Sequence, residues 1–583
     1  MKDNINITYC KIGSAILSNW VNIRGRLLYI FVLTVLLNLI IFAGNDAGAK
    51  SNYVEALKEI LDVAPPDKMK AKEEYAEVEK PVVEFTTEDM KFLNITLKDS
   101  IILALHNNYD IRIAKINPIL EEKDVTVEKS KFDPNLKITG NRNVSETPTV
   151  NQLTVGLGAA AQINEFKQDV NTFQGIIEKP LETGGAFTLD FNVVPRVFID
   201  PAPFNPLNPQ SRSFIEVKVT QPILKGAGIF YNRSKIFIAR NDKKKSVLQL
   251  KAKAIEVINS VQTAYWELVK VIENLRVRNK SLERAKDLLR KNKIQVKVGT
   301  LAPIDVLEAE EGVAKQVEGV VVAENEVKNK EDELKQVMNL SNDSILSDAA
   351  IIPLDKASFK IKDVSLDESI KIALGNRPEL FEQDLEIENN MIEVKRKKNE
   401  LLPQFDIEAG VRYSGLDGDF GNSIDSVFSE RFQSEFFGVT LEVPLGNREA
   451  RSNYSKAKLE VRQSVLNRSK VEQGIVVDVR KAVRQIKTNI ERVRATEKAR
   501  ELAQERLEAE EKKFKVGRTT SLEVVRAQEN LAIAEGRATN ALVDYEVSLE
   551  DLDVATGTIL EKNNIIIEDD NMVIKEDLKL EEP

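Results

Sequence analysis

Apolar residues recur every three or four positions through a long stretch in the middle of the chain. From Ile258 the series runs through Val261, Tyr265, Leu268, Ile272, Leu275, Leu282, Ala285 and Leu289. A sustained seam of this kind predicts a helix that packs along a partner helix, as in a coiled coil. The helical pattern extends from Arg233 to Val296, which is roughly 95 Å at 1.5 Å per residue. A second arm from Pro303 to Asn339 covers roughly 55 Å by the same rise.

Other stretches alternate apolar and polar residues with period two, the pattern of a strand with one apolar and one wet face. The clearest apolar positions are Phe187, Leu189, Phe191 and Val193; Ile215, Val217 and Val219; Phe405, Ile407, Ala409, Val411 and Tyr413; and Phe437, Val439, Leu441 and Val443. We count six alternating candidates in the whole chain. The pattern suits the wall of a membrane barrel and also half of a soluble sandwich. An insertion containing residues 153–157 and the Pro/Asn-rich stretch 200–209 is interpreted as an enlarged hairpin and loop region.

This organisation occurs twice along the chain. Residues 97–107 return as residues 366–376, and Pro134 and Pro403 stand at the same offset. Each copy opens with the pattern of a capping box, in which a side-chain oxygen and a carboxylate satisfy free amides at a helix start. The residue pairs are Thr96 with Asp99 and Ser365 with Glu368. We therefore predict that each copy begins with a helix, which ends at the proline.

Two similar turns join the long helical arms, at residues 297–307 (KVGTLAPIDVL) and 515–525 (KVGRTTSLEVV). Gly299 and Gly517 are predicted to take the left-handed conformation that ends a helix at low cost. Pro303 suits a first helical position, and Thr520 with Glu523 matches a third capping box. Each copy thus contributes a helical hairpin with a tight tip.

The N-terminus has the organisation of an export signal. Basic residues precede an apolar run at 27–43, and Ala47-Gly48-Ala49 supplies small residues for cleavage. We predict a signal peptide cleaved after Ala49; the alternative is an uncleaved anchor, although the run is short for a spanning helix. Cys10, the one cysteine, precedes the run. The mature chain would therefore contain no disulfide, catalytic thiol or cysteine-bound metal.

Composition and charge argue against several classes of function. Charged residues make up 30% of the chain, and the net charge of −9 combines interspersed signs, whereas nucleic-acid binding needs a concentrated basic face. The segment 226–228 (GAG) lacks the third glycine of a dinucleotide loop, and no phosphate loop is present. A hydrolase with paired carboxylates has little support, because His106 is the one histidine and is interpreted as a surface or interface residue. We predict no enzymatic activity, no cofactor and no metal site.

The order helix, proline, strands, proline, long helix, Val-Gly tip and helix, given twice, resembles the TolC-like outer membrane efflux family over residues 95–560. The residues that carry the resemblance are Leu402-Pro403-Gln404, the run from Gln221 to Gly226, Val443-Pro444-Leu445 and both Val-Gly tips. The resemblance implies an α+β membrane protein. Three chains, each with four spanning strands, would share a twelve-stranded β-barrel in the outer membrane. A long α-helical coiled-coil tunnel would continue the barrel into the periplasm, and the insertion would be extracellular.

The resemblance also implies roles for individual residues. Tip helices close the periplasmic entrance in this family, with acidic residues at the constriction. The aperture candidates here are Asp305, Glu308, Glu523 and Arg526; Arg526 stands where well-known members have a second acid. The candidates for contact with a periplasmic adaptor are Val298, Gly299, Val516 and Gly517. The prolines at the junction of barrel and tunnel are Pro134, Pro222, Pro403 and Pro444.

From these features we predict a passive, homotrimeric exit duct of a tripartite efflux or type I secretion system, opened by an adaptor and an inner-membrane pump. The alternative is a structural or adaptor-type coiled-coil protein of the periplasm. The predicted segments are a signal peptide (1–49), a charged segment (50–95), a first repeat (96–340), a linker (341–364), a second repeat (365–560) and a tail (561–583).

Overall fold

The computed structural model describes residues 92–148, 165–200, 207–340, 349–568 and 571–574. The predicted signal peptide, most of the charged segment 50–95, and residues 153–157 of the insertion lie outside these ranges. Two helical hairpins and one six-stranded sheet account for most of the described chain. No helix among the described residues is both long enough and apolar enough to cross a bilayer.

Each repeat opens with two helices rather than the one that was predicted. They are α1 (Leu97–Asn107) and α2 (Tyr109–Ser130) in the first repeat, and α5 (Leu366–Asn376) and α6 (Pro378–Asn399) in the second. The breaks have local causes: the Asn108 side chain accepts hydrogen bonds from the amides of Asp110 and Ile111, and Pro378 starts α6. Each helical segment thus contains a break that was not predicted, while its end lies close to the predicted proline: α2 ends at Ser130 and α6 at Asn399.

The capping-box predictions have different outcomes. The box at Thr96 forms, since its hydroxyl accepts from the Asp99 amide at 3.2 Å and the Asp99 carboxylate accepts from the Thr96 amide at 3.1 Å. The predicted box at Ser365 is wrong, because the Ser365 side chain makes no capping hydrogen bond. Glu368 still lies in the first turn of α5, where the helix dipole favours a carboxylate.

The two long hairpins agree closely with the prediction. In the first repeat, α3 (Ile229–Val298) has 70 residues and returns as α4 (Pro303–Met338). In the second, α8 (Arg448–Lys515) has 68 residues and returns as α9 (Ser521–Thr556). At 1.5 Å per residue α3 spans about 105 Å, far longer than a compact domain requires.

The sheet is an antiparallel meander that joins both repeats. Its order is β2 (Asn135–Pro148), β3 (Glu165–Pro180), β4 (Ala186–Asp200), β5 (Gln210–Pro222), β7 (Gln404–Asp417) and β8 (Gln433–Glu442). The four clearest alternating segments of the sequence fall in β4, β5, β7 and β8, which are hydrogen-bonded neighbours in that order. The sheet has two strands more than the four per chain that the resemblance implies, because the first repeat forms two complete hairpins and the second forms one. A short helix, α7 (Phe420–Phe428), lies between β7 and β8 and packs on β5 and β7.

The main core lies midway along the hairpins, where short elements wrap the long helices. The parallel pair β1 (Phe92–Ile95) and β6 (Ala350–Pro353) packs there, with α10 (Ile559–Lys562) and the pair β9 (Ile565–Glu568) and β10 (Asn571–Ile574) nearby. Tyr265 is fully buried, and its hydroxyl donates to the Asp355 carboxylate at 2.9 Å. Burial raises the pKa of this hydroxyl, so Tyr265 remains a neutral donor that fixes the segment after β6 to α3.

Candidate functional site

The tip of the first hairpin is built as predicted. Gly299 has φ 81°, in the left-handed region, and the next amide, that of Thr300, donates to the Gln295 carbonyl at 2.9 Å. Pro303 then starts α4. Because the left-handed conformation costs a residue with a Cβ about 1–2 kcal/mol, glycine suits this position. The preceding Val298 side chain is 72% exposed.

The second tip has the same backbone and a different set of side-chain bonds. Gly517 has φ 72°, and the Arg518 amide donates to the Lys513 carbonyl at 2.9 Å. The predicted capping box is wrong: Thr520 makes no side-chain capping bond, and the Glu523 carboxylate pairs with the Arg526 guanidinium at 2.8 Å. The two residues are one turn apart on α9. The Glu523 carboxylate therefore binds Arg526 and does not make the hydrogen bond that a capping box requires.

The aperture candidates lie at adjacent tips within one chain. Asp305 and Glu308, both half-buried, occupy the first two turns of α4, as Glu523 and Arg526 do on α9. The Asn292 side-chain amide donates to the Asp305 carbonyl at 3.0 Å and to the Ser521 hydroxyl at 2.5 Å. This buried amide therefore joins the first turns of α4 and α9.

The Asn292 contact is the end of a polar seam between α3 and α9, the helices through which the two hairpins meet. Each step pairs one residue of the first repeat with one of the second. The pairs are Lys270 with Asp544 at 3.5 Å, Asn274 with Asn540 at 3.0 Å, Arg284 with Glu535 at 2.8 and 3.1 Å, and Asn292 with Ser521. This seam was not predicted from the sequence. Lys270, Asn274 and Arg284 lie outside the apolar series of α3, so the heptad pattern gives no signal for them; only Asn292 continues the spacing of that series, three residues after Leu289.

Two of the seam contacts are partly shielded from water. The Arg284 and Glu535 side chains are 27% and 17% exposed and form two parallel N–H···O bonds, the strong geometry for this pair. Burial lowers the pKa of Lys270, but hydrogen bonds and charge from Glu267 and Asp544 outweigh this and raise it. Asp544 also accepts from Arg492 of α8 at 2.6 Å. The seam thus holds the second hairpin to the first through charged and hydrogen-bonded groups.

The four candidate junction prolines lie where the strands meet the helices. Pro134 and Pro403 directly precede β2 and β7, Pro222 ends β5, and Pro444 follows β8. The chain is hydrogen-bonded around them: the Lys225 amide donates to the Pro403 carbonyl at 3.2 Å, and Asn399 accepts from the Gly226 amide at 2.7 Å. These bonds connect the start of α3 to the end of α6 across the two repeats.

The sheet has one apolar and one polar face. Directly paired residues Leu189, Val217 and Val411 belong to the apolar face, and their neighbours Asp190, Glu216 and Arg412 pair on the other. Many residues of the apolar face are exposed in the single chain; they include Leu136, Ile138, Phe187, Val217, Val219, Phe437, Val439 and Leu441. This apolar face is called the apolar band below. An exposed band of this size requires an apolar environment.

Within the described residues, no group of three or more His, Cys, Asp or Glu side chains is placed to hold a metal ion. The half-buried Glu550 carboxylate instead forms an ion pair with Lys562. Burial raises the pKa of Glu550, and Lys562, 3.2 Å away, partly opposes this effect. The site is therefore a pair of surfaces: helical tips joined by a polar seam, and a two-faced sheet.

Comparisons with known proteins agree with this architecture. The outer membrane efflux protein family model matches residues 215–340 and 369–558, together more than half of the chain. The match begins within β5, so β2, β3 and β4 lie outside it. Outer membrane protein TolC of Vibrio cholerae serotype O1 is 24% identical over 315 residues, which are 53% of this chain and 69% of the Vibrio protein. Outer membrane efflux protein BepC of Brucella suis biovar 1 is 22% identical over 476 residues, which are 80% of this chain and 86% of the Brucella protein.

Among solved structures, that of CusC, described in terms of folding and transmembrane channel formation, superposes with a TM-score of 0.58 at 15% identity. It covers 80% of this chain and 93% of CusC. The comparisons favour an outer membrane channel over the alternative of a periplasmic coiled-coil adaptor.

Proposed function

This chain belongs to the outer membrane efflux protein family, and from that premise we propose that three copies form a passive exit duct that partner proteins open at the helical tips. The chain is an outer membrane channel protein that extends into the periplasm. The observation that carries the proposal is the combination, in one chain, of a two-faced sheet and hairpins about 100 Å long. Such hairpins reach far from the bilayer and provide a wall for a long conduit.

Exposed apolar stripes on two different helices support assembly of several copies. On α2, Ile113, Ile116, Leu120 and Val127 are each more than half exposed, and on α8 so are Leu459, Leu466, Val477 and Leu502. These residues recur along one side of each helix, and water-exposed stripes of this length are typical of interfaces. In the proposed trimer, α2 of one copy packs beside α8 of the next. The stripes then become buried in a closed ring.

We assign the tips to the gate and to partner contact. Val298 and Val516 are 72% and 69% exposed at the ends of the two hairpins, where apolar side chains suit contact with a periplasmic adaptor. Gly299 and Gly517 keep the turns tight enough to present them. The family transports substrates and is not a class of enzymes, so in our proposal the energy for transport comes from an inner-membrane pump.

Asp305, Glu308, Glu523 and Arg526 are the proposed lining of the closed aperture. A ring of three Glu523–Arg526 pairs would carry little net charge. Removing the three carboxylates leaves three arginines facing the pore, so the ring becomes positively charged. We expect Glu523→Ala to raise single-channel conductance several-fold and to weaken block by multivalent cations. Purified protein in planar bilayers is suited to this measurement.

The matched control is Glu505→Ala, which removes an exposed carboxylate from α8 away from the tip. It should leave conductance and cation block unchanged. Wild-type values for both properties in Glu523→Ala would remove Glu523 from the gate.

A further inference from the structure

The sheet of this chain ends in two unpaired edges, β2 and β8, with four strands between them. Accepting the proposed trimeric channel, on which this inference rests, we propose that three copies close an eighteen-stranded barrel. In this barrel β2 of each copy pairs with β8 of the next, and all six strands cross the membrane. The wall would thus contain six strands more than the twelve-stranded barrel that the resemblance implies.

The apolar band continues across β2 and β3. Leu136 pairs with Ile177, which pairs with Leu189, so the band passes from β2 through β3 to β4 without a break. One pair further along, Lys137 and Ile176 adjoin Asp190 on the opposite, polar face. The same alternation therefore runs through the strands on both sides of β4.

On β2 and β3 the apolar band ends at the side of the sheet that is away from the helices. Arg142 pairs with Asp169 at 2.9 Å on the apolar side of the sheet, beyond Ile138 and Gly140. Lys167 and Glu146 form a second ion pair one step further out. Arg142 lies six residues beyond Leu136, or about 20 Å at 3.3 Å per residue. An apolar stretch of about that height followed by charges is what a strand that crosses the hydrocarbon needs.

The turn between β3 and β4 also packs into the junction of sheet and helices. The Thr183 carbonyl accepts from the Gly228 amide at 2.9 Å, beside the start of α3. At Gly184 a Cβ would lie 2.3 Å from the Gly226 carbonyl oxygen, and at Gly185 one would lie 2.6 Å from the Thr220 carbonyl oxygen. Since no side chain fits at either glycine, the turn is docked closely against β5 and α3.

The open edges at β2 and β8 need partners in a membrane. Backbone groups that face hydrocarbon without partners each cost several kcal/mol, so a sheet in a bilayer must close. Strand β2 follows α2 and runs away from the helices, whereas β8 leads back into α8. The two edges are therefore antiparallel when copies stand side by side in a ring. A second copy of the chain supplies the matching edge.

The proposed barrel is considerably wider than one of twelve strands. With strands about 4.8 Å apart and tilted by about 40°, eighteen strands enclose a backbone diameter of roughly 36 Å, against roughly 24 Å for twelve. Barrels of sixteen to eighteen strands leave an open aqueous channel. In this protein the membrane section would admit bulkier cargo than a twelve-stranded wall, and the helical tips would be the narrowest part of the path.

Disulfide formation between copies tests which strands are neighbours. In a Cys10→Ser background, cysteines replace Leu136 or Ile138 on β2 together with Val439 or Leu441 on β8, so that the four pairs sample the register. The comparison set replaces Phe187 or Leu189 on β4 with the same β8 partners. Single-cysteine variants control for random collision, and copper–phenanthroline serves as the oxidant.

We expect at least one β2–β8 pair to give covalent trimers on non-reducing denaturing gels and the β4–β8 pairs to give none. Crosslinks in the β4–β8 set alone would indicate a twelve-stranded wall and overturn the inference while leaving the trimeric channel intact. Absence of crosslinks in both sets, in a protein whose native mass is trimeric, would also overturn it. A monomeric native mass would instead refute the proposed trimer.

A measurement on the unmodified protein avoids dependence on variants that fail to fold. End-on electron micrograph averages of the detergent-solubilised trimer give the width of the barrel ring. A backbone ring about one and a half times as wide as that of a twelve-stranded barrel supports the proposal, and a ring of twelve-strand width contradicts it.

Discussion

Replacing Val217 with arginine is expected to prevent the protein from accumulating as a trimer in the outer membrane. Val217 is 40% exposed, lies in the middle of β5 and pairs with Leu189 and Val411, so its side chain belongs to the apolar band. Arginine facing lipid near the bilayer midplane costs about 2–4 kcal/mol per chain, and a trimer contains three copies. Outer-membrane fractionation followed by native electrophoresis measures the loss.

The matched control is Thr220→Arg, three residues further along the same strand and on the polar face. Thr220 pairs with Glu408, so the new guanidinium would meet water and a carboxylate. Trimer levels of this variant should stay close to wild type. Equal levels for Val217→Arg and Thr220→Arg would show that the apolar band does not face lipid.

The second large effect is expected at the polar seam. Arg284→Ala removes the bidentate contact to Glu535, leaves a partly buried carboxylate unpaired and loosens the second hairpin from the first. Losing hydrogen bonds to a charged group costs about 1.5–3 kcal/mol, equivalent to about a ten- to hundredfold change in the ratio of open to closed tips. We expect a large rise in mean single-channel current in planar bilayers.

Two further variants distinguish the seam from a general loss of stability. The exchange Arg284→Glu with Glu535→Arg restores the ion pair and should return the current toward the wild-type level. Removing the exposed pair of Lys498 and Glu501 on α8, whose side chains are 62% and 55% exposed, should have no effect. A wild-type current in Arg284→Ala, or no recovery in the exchange, would mean that the seam does not hold the tips closed.

Much of the helical architecture could be predicted because its signals are local. Left-handed glycines at 299 and 517, a proline at position 303 and sustained heptads define each hairpin without knowledge of the fold. The break at Asn108 was missed, although a side chain that caps the following helix was visible in the sequence. The ends of the helical segments were predicted well, because α2 ends at Ser130 and α6 at Asn399, shortly before Pro134 and Pro403.

The sheet and the seam depend on distant parts of the chain. Strand β2 lacks strict apolar alternation because its outer half carries Arg142 and Glu146, which find opposite charges only when β3 pairs beside them. Seam partners such as Arg284 and Glu535 are separated by 251 positions, and heptad spacing says nothing about which distant helix lies opposite. Such contacts are determined by how the two hairpins pack.

The number of chains in the particle tests the central claim most directly. Protein extracted from the outer membrane in mild detergent can be weighed by native mass spectrometry and compared with the mass of the denatured mature chain. We predict a ratio of three, as a duct assembled from identical copies requires. A ratio of one, with the chain remaining dispersed after the detergent is removed, would contradict the account.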